Sequence, residues 1–295
     1  MKFWIFACTL LALAGTFGLL VFAVFPALGS ISPRAPSLTP NPGTQTLNFD
    51  EGNIRYQSIG SEKDAQVTLF LHGFNSQLSA WDKVWPYLHD CGRIIRLDIP
   101  GYGGSAWQTR SYSIPDQAKR VIAFLDTLKI SRVTLIGASM GGSLSAWIAA
   151  DYPERVSGLV LLAPSGYPGS LHYGGLMGKL LVPGFLNSTA TLVAASPLYR
   201  RMYPDSTALQ ALSVTSSYGN AWAEALTKIK APTQILWSRG DLGVPFAYAE
   251  AVAQAIPGSK LRVLSENVGH DIPNNQPELV AKTACQIQSE GHHGN

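Results

Sequence analysis

The most restrictive feature of this 295-residue sequence is an apolar run that ends in a glycine-rich turn. Residues 133–136 are typical of a buried strand and lead directly into Gly-Ala-Ser-Met-Gly-Gly at 137–142, after which small residues predict a helix over 141–150. A serine on such a sharp strand-to-helix turn has little room, so its neighbours must be small. The pattern predicts that Ser139 presents its hydroxyl above the carboxyl edge of a sheet; the alternative is a serine that only caps the helix.

Strand and helix patterns alternate along most of the chain. Strands are predicted at 44–49, 53–59, 67–71, 93–99, 132–137, 157–163, 233–237 and 260–264, and helices at 79–89, 114–128, 141–150, 245–255 and 277–288. The alternation predicts an α/β fold with a doubly wound, mostly parallel sheet and helices on both faces. The first two strands flank Asp-Glu-Gly, which indicates an antiparallel opening hairpin.

The alternation stops between Gly166 and about Lys230, where no strong strand pattern is present. Helical patterns occur there at 171–182, 188–195 and 220–228. A long interruption of this kind is more often a lid than an unstructured loop. We therefore predict a core at 44–166 and 232–290, with a helical cap inserted at 167–231.

The N-terminal segment carries no charged residue from Phe3 to Pro33. Its apolar stretch exceeds the roughly 20 residues that a helix needs to cross a bilayer. Residues 1–31 are predicted to be a transmembrane anchor that leaves the rest of the chain on the outer, periplasmic or extracytoplasmic side. The alternative is a signal peptide, since Ala27-Leu28-Gly29 resembles a cleavage site, and cleavage would give a secreted protein. The proline-rich residues 32–43 are predicted to form an extended tether.

Composition excludes several classes of protein. Hydrophobic residues make up 46% and charged residues 14%, which excludes an intrinsically disordered chain. The 22 Lys and Arg nearly balance the 19 Asp and Glu, so no basic face for nucleic acid is expected. The 3 cysteines include no C-x-x-C pair for zinc. Cys91 and Cys285 are able to pair in an oxidising compartment or to remain as thiols, and the sequence leaves both possibilities open.

A serine hydroxyl reacts as a nucleophile only when a base accepts its proton. His270 follows the last predicted strand, and Asp241 follows the strand before it, so both belong to the same carboxyl edge of the sheet as Ser139. We predict that His270 is the base and that Asp241 orients its ring. Asp271 is the alternative carboxylate, although its adjacency to His270 makes a good hydrogen bond to the ring awkward.

The loop His-Gly-Phe-Asn at 72–75 follows the predicted strand 67–71. Gly73 allows a tight turn with exposed backbone N–H groups. We predict that the N–H groups of Phe74 and Met140 form an oxyanion hole, because Met140 directly follows the serine. His72 is expected to hold this loop rather than to act as a base.

Taken in order, these motifs resemble the α/β-hydrolase superfamily. They are H-G-F-N (72–75), D-I-P-G-Y-G-G-S (98–105), G-A-S-M-G-G (137–142), R-G-D (239–241) and G-H-D (269–271), and the resemblance covers about residues 44–290. It implies the α/β-hydrolase fold with a cap in the insertion, no metal and no cofactor. A serine nucleophile argues against the epoxide hydrolases and haloalkane dehalogenases of this fold. Asp98 and Gly101 are expected to shape a loop beside the pocket.

The resemblance implies a capped serine hydrolase that cleaves carboxylic esters. The predicted cap is rich in apolar residues, which favours an apolar acyl or aromatic substrate: Leu171, Leu176, Met177, Leu180, Leu181, Phe185 and Leu186. Two alternatives remain. A carbon–carbon bond hydrolase of dienoate-type substrates would use Arg200-Arg201 for a carboxylate, and a catalytically silent binding protein would keep only the fold. The expected partners are a small-molecule ester and, through the N-terminal helix, a membrane.

Overall fold

The computed structural model describes residues 43–89, 91–107, 111–168, 214 and 217–293. The predicted N-terminal anchor, all but the last residue of the tether, and the predicted cap helices at 171–182 and 188–195 lie outside these ranges. Within them, none of the helices combines the length and the apolar character needed to span a bilayer.

The strands form one sheet of 8 members in the order β1-β2-β4-β3-β5-β6-β7-β8. β2 pairs antiparallel with β1 and β4, and all other neighbours are parallel. The bounds are Thr44–Phe49 (β1), Gly52–Ile59 (β2), Val67–Leu71 (β3), Arg93–Leu97 (β4), Val133–Ala138 (β5), Val156–Leu162 (β6), Thr233–Ser238 (β7) and Lys260–Leu264 (β8). The mostly parallel sheet and the opening hairpin are therefore confirmed.

The described helices are six α-helices and several short 3₁₀ turns. The bounds are Ile114–Thr127 (α1), Met140–Asp151 (α2), Asn220–Leu226 (α3), Ala249–Ala255 (α4), Ile272–Asn275 (α5) and Pro277–His293 (α6). At the start of α1, the Ser113 hydroxyl accepts a hydrogen bond from the N–H of Asp116, which caps the helix.

Helices cover both faces of the sheet. A Cβ on Gly137 of β5 would meet the backbone of Gly141 in α2, whereas Thr134 of the same strand lies beside Gly158, which faces Ile287 of α6. Side chains alternate between the faces of a strand, so positions 134 and 137 lie on opposite faces. Because helices cover both faces, β3 and β6 are buried at every position and read as nearly continuous apolar runs. β4 is also buried at every position, although it carries Arg93 and Arg96.

Residues 79–89 do not form the single helix that their apolar spacing predicted. The structure has two 3₁₀ turns instead, Leu78–Trp81 and Trp85–Tyr87. Pro86 has no N–H, so it cannot donate to the carbonyl four residues earlier and interrupts an α-helix there. Trp81 is fully buried with its ring edge-on to Phe70, so the segment packs on the sheet without being helical.

Cys91 and Cys285 form a disulfide, with their Cα atoms 5.3 Å apart. This separation lies within the usual range for the bond. The bond joins the segment before β4 to α6 across 194 positions of sequence. Of the two possibilities left open by the sequence, the structure therefore has the pair.

Candidate active site

The site lies at the carboxyl edge of the sheet, where its parallel strands end. The strand that follows β3 in sequence, β4, lies on one side of β3 in the sheet, and β5 lies on the other side. Such a switch point opens a crevice in which open α/β sheets bind their ligands. Residues 72–75 follow β3, Ser139 follows β5, Asp241 follows β7 and His270 comes after β8, so this edge carries all the predicted site residues.

Ser139 has a strained backbone between β5 and α2, with φ 52° and ψ −116°. A non-glycine residue in such a conformation costs on the order of 1–3 kcal/mol and persists only where its surroundings enforce it. The side chain is partly exposed and makes no capping hydrogen bond to α2. The structure therefore does not support the alternative in which Ser139 only caps the helix.

Glycines on both sides of Ser139 make this turn possible. A Cβ on Gly137 would overlap the carbonyl oxygen of Gly141, and one on Gly141 would overlap the carbonyl oxygens of Leu71 and His72. The start of α2 thus lies directly against the end of β3. This close approach explains why the residues around the serine must be small.

Asp241 and His270 are in direct contact. Nδ1 of His270 donates a hydrogen bond to Oδ2 of Asp241 at 2.8 Å. The other carboxylate oxygen, Oδ1, accepts the N–H groups of Gly243 and Val244, both at 2.8 Å. The Asp241 side chain is 0% exposed and that of His270 is 35% exposed. The ring is therefore held from one side by a buried, fixed carboxylate, and its Nε2 is directed away from Asp241.

The alternative carboxylate, Asp271, is exposed and serves a local turn. Its two oxygens accept hydrogen bonds from the side-chain amide of Asn274 at 3.0 and 2.9 Å. The structure brings Asp241, not Asp271, to the imidazole of His270.

Ser238 is a site residue that the sequence analysis missed. Its buried hydroxyl donates to the carbonyl oxygen of Ser265 at 2.8 Å and accepts the N–H groups of Gly269 at 3.0 Å and Gly240 at 3.2 Å. It therefore joins the loop that carries Asp241 to the loop that carries His270. The only signal in the sequence is a polar residue at the end of an apolar strand.

Gly243 leaves the space that the His270 ring occupies. A Cβ at this position would lie 2.8 Å from Cγ and 3.0 Å from Cδ2 of the ring, closer than real Cβ contacts allow. We expect Gly243→Ala to displace the imidazole and to lower kcat for an ester by about 100-fold, a loss that a misplacement of about 1 Å is able to cause. Steady-state kinetics and thermal unfolding check this expectation; an unchanged kcat in a folded variant would contradict it.

The loop at residues 72–75 runs beside Ser139. A Cβ on Gly73 would lie 3.5 Å from the Cβ of Ser139. Phe74 packs edge-on against Tyr102, with the ring centroids 5.9 Å apart, and Asn75 has a positive φ of 52° that turns the chain. Met140 is the first residue of α2 and follows Ser139 directly. The two predicted oxyanion donors, Phe74 and Met140, therefore belong to the loop that runs beside the serine and to the residue that follows it.

His72 holds this loop to the next one. Its buried Nδ1 donates to the carbonyl oxygen of Gly73 at 2.7 Å, and its Nε2 accepts the N–H of Ile99 at 3.0 Å. Both ring nitrogens are engaged, so the ring is held neutral and takes the structural role expected of it. Burial lowers the pKa of His72, although the nearby Asp98 carboxylate acts in the opposite direction.

This lowered pKa predicts a loss of stability in acid. The unfolded chain protonates His72 near pH 6.5, whereas the folded protein does so only at lower pH. The contribution of His72 to the free energy of unfolding is therefore complete above pH 6.5. At lower pH this contribution decreases, by up to about 1.4 kcal/mol per pH unit, until the pKa of His72 in the folded protein is reached. Urea unfolding of wild type and His72→Asn between pH 7.5 and 5.0 should show the stability gap narrowing as the pH falls. Parallel curves would contradict the expectation.

The loop at 98–105 is organised around the buried Asp98 carboxylate. Asp98 pairs with Arg55 and accepts the N–H groups of Leu78 at 2.6 Å and Gly104 at 2.7 Å. Gly101 has a positive φ of 85°, and a Cβ there would overlap the ring of Tyr112. These contacts show the structural roles expected of Asp98 and Gly101 beside the crevice.

Within the ranges described above, no group of three or more His, Cys, Asp or Glu side chains is arranged to hold a metal ion.

Comparison with known proteins supports one family. The family model for the alpha/beta hydrolase fold matches residues 67–198. The uncharacterized hydrolase YugF of Bacillus subtilis (strain 168) is 30% identical over 259 residues, which span 80% of this chain and 94% of that protein. The chain belongs to the α/β-hydrolase superfamily.

Other α/β-hydrolase relatives carry lipase names. The monoacylglycerol lipase abhd6-A of Xenopus laevis is 29% identical over 284 residues, which span 84% of this chain and 83% of that protein. A crystal structure described as a membrane phospholipase A, a bacterial virulence factor, has a TM-score of 0.68 at 25% identity and covers 100% of both chains. The protein is therefore an α/β-hydrolase enzyme with lipase and esterase relatives.

Proposed function

We propose that this α/β-hydrolase cleaves carboxylic esters with Ser139 as nucleophile, His270 as general base and acid, and Asp241 as the group that orients His270. The observation that supports this most directly is the 2.8 Å contact from Nδ1 of His270 to the buried Asp241 carboxylate, at the sheet edge that carries the strained Ser139. The fixed carboxylate selects the tautomer with the proton on Nδ1, which leaves Nε2 able to accept the serine proton.

The proposed reaction has two halves. Oγ of Ser139 attacks the ester carbonyl carbon while Nε2 of His270 takes the hydroxyl proton. The resulting oxyanion is held by the N–H groups of Phe74 and Met140, each worth about 3 kcal/mol. The C–O bond to the alcohol then breaks, and His270 returns the proton to the departing alcohol. Water, activated by His270, attacks the acyl-enzyme and releases the acid and free Ser139.

The proposed substrate is a lipid ester with an apolar acyl chain. The lipase names of the relatives support it. The apolar composition of the proposed cap at 167–231 supports it as well. At the same edge, the rings of Tyr167 and Tyr248 lie 6.1 Å apart, and Leu242, next to Asp241, is 86% exposed.

We further propose that residues 1–31 anchor the enzyme in a membrane, with the catalytic part on the outer side. The uncharged apolar stretch from Phe3 to Gly29 supports the anchor. The disulfide between Cys91 and Cys285 supports an oxidising compartment, where such bonds persist. Release of the full-length protein from membranes by salt alone, without detergent, would overturn the anchor.

Activity-based labelling tests the proposed nucleophile. A fluorophosphonate probe should label wild type and not Ser139→Ala. A series of acyl esters from short to long chains then defines the substrate, and a vinylogous diketone tests for carbon–carbon bond cleavage. Turnover of esters with none of the diketone supports the proposal; labelling of the alanine variant, or turnover of the diketone alone, would overturn it. The Arg200-Arg201 pair invoked for the rival reaction lies outside the described residues.

A further inference from the structure

The hydroxyl groups of Ser143, Ser165 and Tyr218 form a hydrogen-bonded chain next to the backbone of Ser139. Oγ of Ser143 lies 3.3 Å from the carbonyl oxygen of Ser139 and 3.0 Å from Oγ of Ser165. Oγ of Ser165 lies 2.6 Å from the hydroxyl of Tyr218. Ser143 also contacts the carbonyl oxygen of Ser165. Ser143 and Ser165 are buried, so these hydroxyl groups depend on one another for their hydrogen bonds.

The direction of the hydrogen bonds in this chain follows from the count of protons. Carbonyl oxygens only accept, so the single proton of Ser143 is shared between the carbonyl oxygen of Ser165, which is the nearer of the two, and that of Ser139. The proton of Ser165 is then donated to Ser143, and that of Tyr218 to Ser165. The hydroxyl chain therefore runs from Tyr218 to the carbonyl oxygens of Ser165 and Ser139.

The carbonyl oxygen of Ser139 accepts hydrogen bonds from three donors. Besides the Ser143 hydroxyl, it accepts the N–H of Ser143 at 3.1 Å and the N–H of Ser165 at 3.2 Å. The carbonyl group shares one rigid planar peptide with the N–H of Met140, which points in the opposite direction. Donors that fix the carbonyl therefore also fix the direction of the Met140 N–H.

We propose that Ser143, Ser165 and Tyr218 are positioning residues that aim the Met140 N–H at the developing oxyanion. This inference rests on the proposed function, in which Met140 supplies one of the two oxyanion donors. It also explains how a φ of 52° at Ser139 is maintained, because the hydroxyl chain holds the peptide that follows this strained residue.

The hydroxyl chain begins at Tyr218, which lies where the inserted segment rejoins the core. The N–H of Gly219 donates to the carbonyl oxygen of Gly166 at 2.9 Å, so the entry and exit of the insertion are joined there. A Cβ on Gly166 would meet the Tyr218 ring, and Trp222 donates from its indole to the carbonyl oxygen of Ser143 at 3.2 Å.

The test compares Ser143→Ala and Tyr218→Phe with Ser157→Ala. Ser157 is a matched control, because its buried hydroxyl pairs with Thr134 at 3.1 Å near the opposite, amino end of β6. We expect kcat for an ester to fall by about 10- to 30-fold in Ser143→Ala and about 3- to 10-fold in Tyr218→Phe, with KM within twofold of wild type; complete loss of an oxyanion donor costs about 100- to 1,000-fold. Ser157→Ala should retain wild-type kinetics.

Inhibition by a trifluoromethyl ketone, which forms a tetrahedral oxyanion on the serine, separates positioning from a merely structural role. Its affinity should fall by the same factor as kcat, and the midpoint of the pH–kcat profile should stay in place. Unchanged affinity, or kcat within twofold of wild type in a folded Tyr218→Phe, would overturn the inference. If Ser143→Ala does not fold, Tyr218→Phe decides alone. Failure of wild type to react with fluorophosphonate would instead overturn the proposed function.

Discussion

Replacing Ser139 with alanine is expected to lower ester turnover by about 10⁴-fold or more while the fold remains intact. The substitution removes the proposed nucleophile, and water alone would have to attack the ester in the same crevice. The Ser139 side chain makes no capping bond, and alanine meets the same backbone strain at φ 52°, so the free energy of unfolding should change little. Single-turnover ester kinetics and denaturant unfolding measure the two effects separately.

His270→Ala should lower turnover to a similar extent, because residues that act as one unit do not contribute additively. The double variant with Ser139→Ala should be about as slow as either single variant. Turnover within tenfold of wild type in either single variant would show that the nucleophile or the base has been misassigned.

Replacing Asp241 with asparagine is expected to lower kcat by roughly 10³- to 10⁴-fold. The N–H groups of Gly243 and Val244 both donate to Oδ1, so the amide would keep its oxygen there and turn its NH₂ group toward His270. Nδ1 would then have to accept a hydrogen bond, and the ring proton would move to Nε2. In that tautomer His270 cannot accept the proton of Ser139, although the geometry of the site is nearly unchanged.

Asp271→Asn is the matched control for this expectation. It changes the adjacent carboxylate, which is exposed and bonded to Asn274 rather than to the ring. Its kcat should stay within about twofold of wild type. A large loss in Asp271→Asn together with near-normal turnover in Asp241→Asn would reverse the assignment of the two carboxylates. A shift of the pH–kcat profile only in Asp241→Asn would support Asp241 as the carboxylate that orients His270.

The strands and the site loops were predictable because they depend on local sequence. The strands predicted at 67–71 and 260–264 end at the residues where the structure ends β3 and β8. The Gly-rich turn around Ser139 needs small residues for the steric reasons that a sharp, strained strand-to-helix turn imposes. His270 follows the last strand, so its place at the same sheet edge as Ser139 could be predicted from the rule that parallel strands end at one edge.

Other features depended on contacts between distant residues. The sequence left the Cys91–Cys285 pair open because bond formation depends on a Cα separation that only the folded chain sets. Residues 79–89 have helical spacing, but Pro86 and the packing of Trp81 against Phe70 favour two short turns. Ser238 and Tyr218 carry no motif, since a hydroxyl group acquires its role only from the loops packed around it.

By itself the sequence determined the class of fold, the turn that carries Ser139 and the candidate chemistry, because apolar periodicity, glycine sterics and side-chain type are local properties. Only the tertiary structure decided which carboxylate meets His270, which thiols pair and which hydroxyl groups are hydrogen-bonded near the serine. Those choices depend on distances of a few ångströms between segments far apart in the chain, such as the 29 positions between Asp241 and His270 or the 53 between Ser165 and Tyr218. Hydrogen bonds are short and directional, so packing of the whole sheet selects the partners.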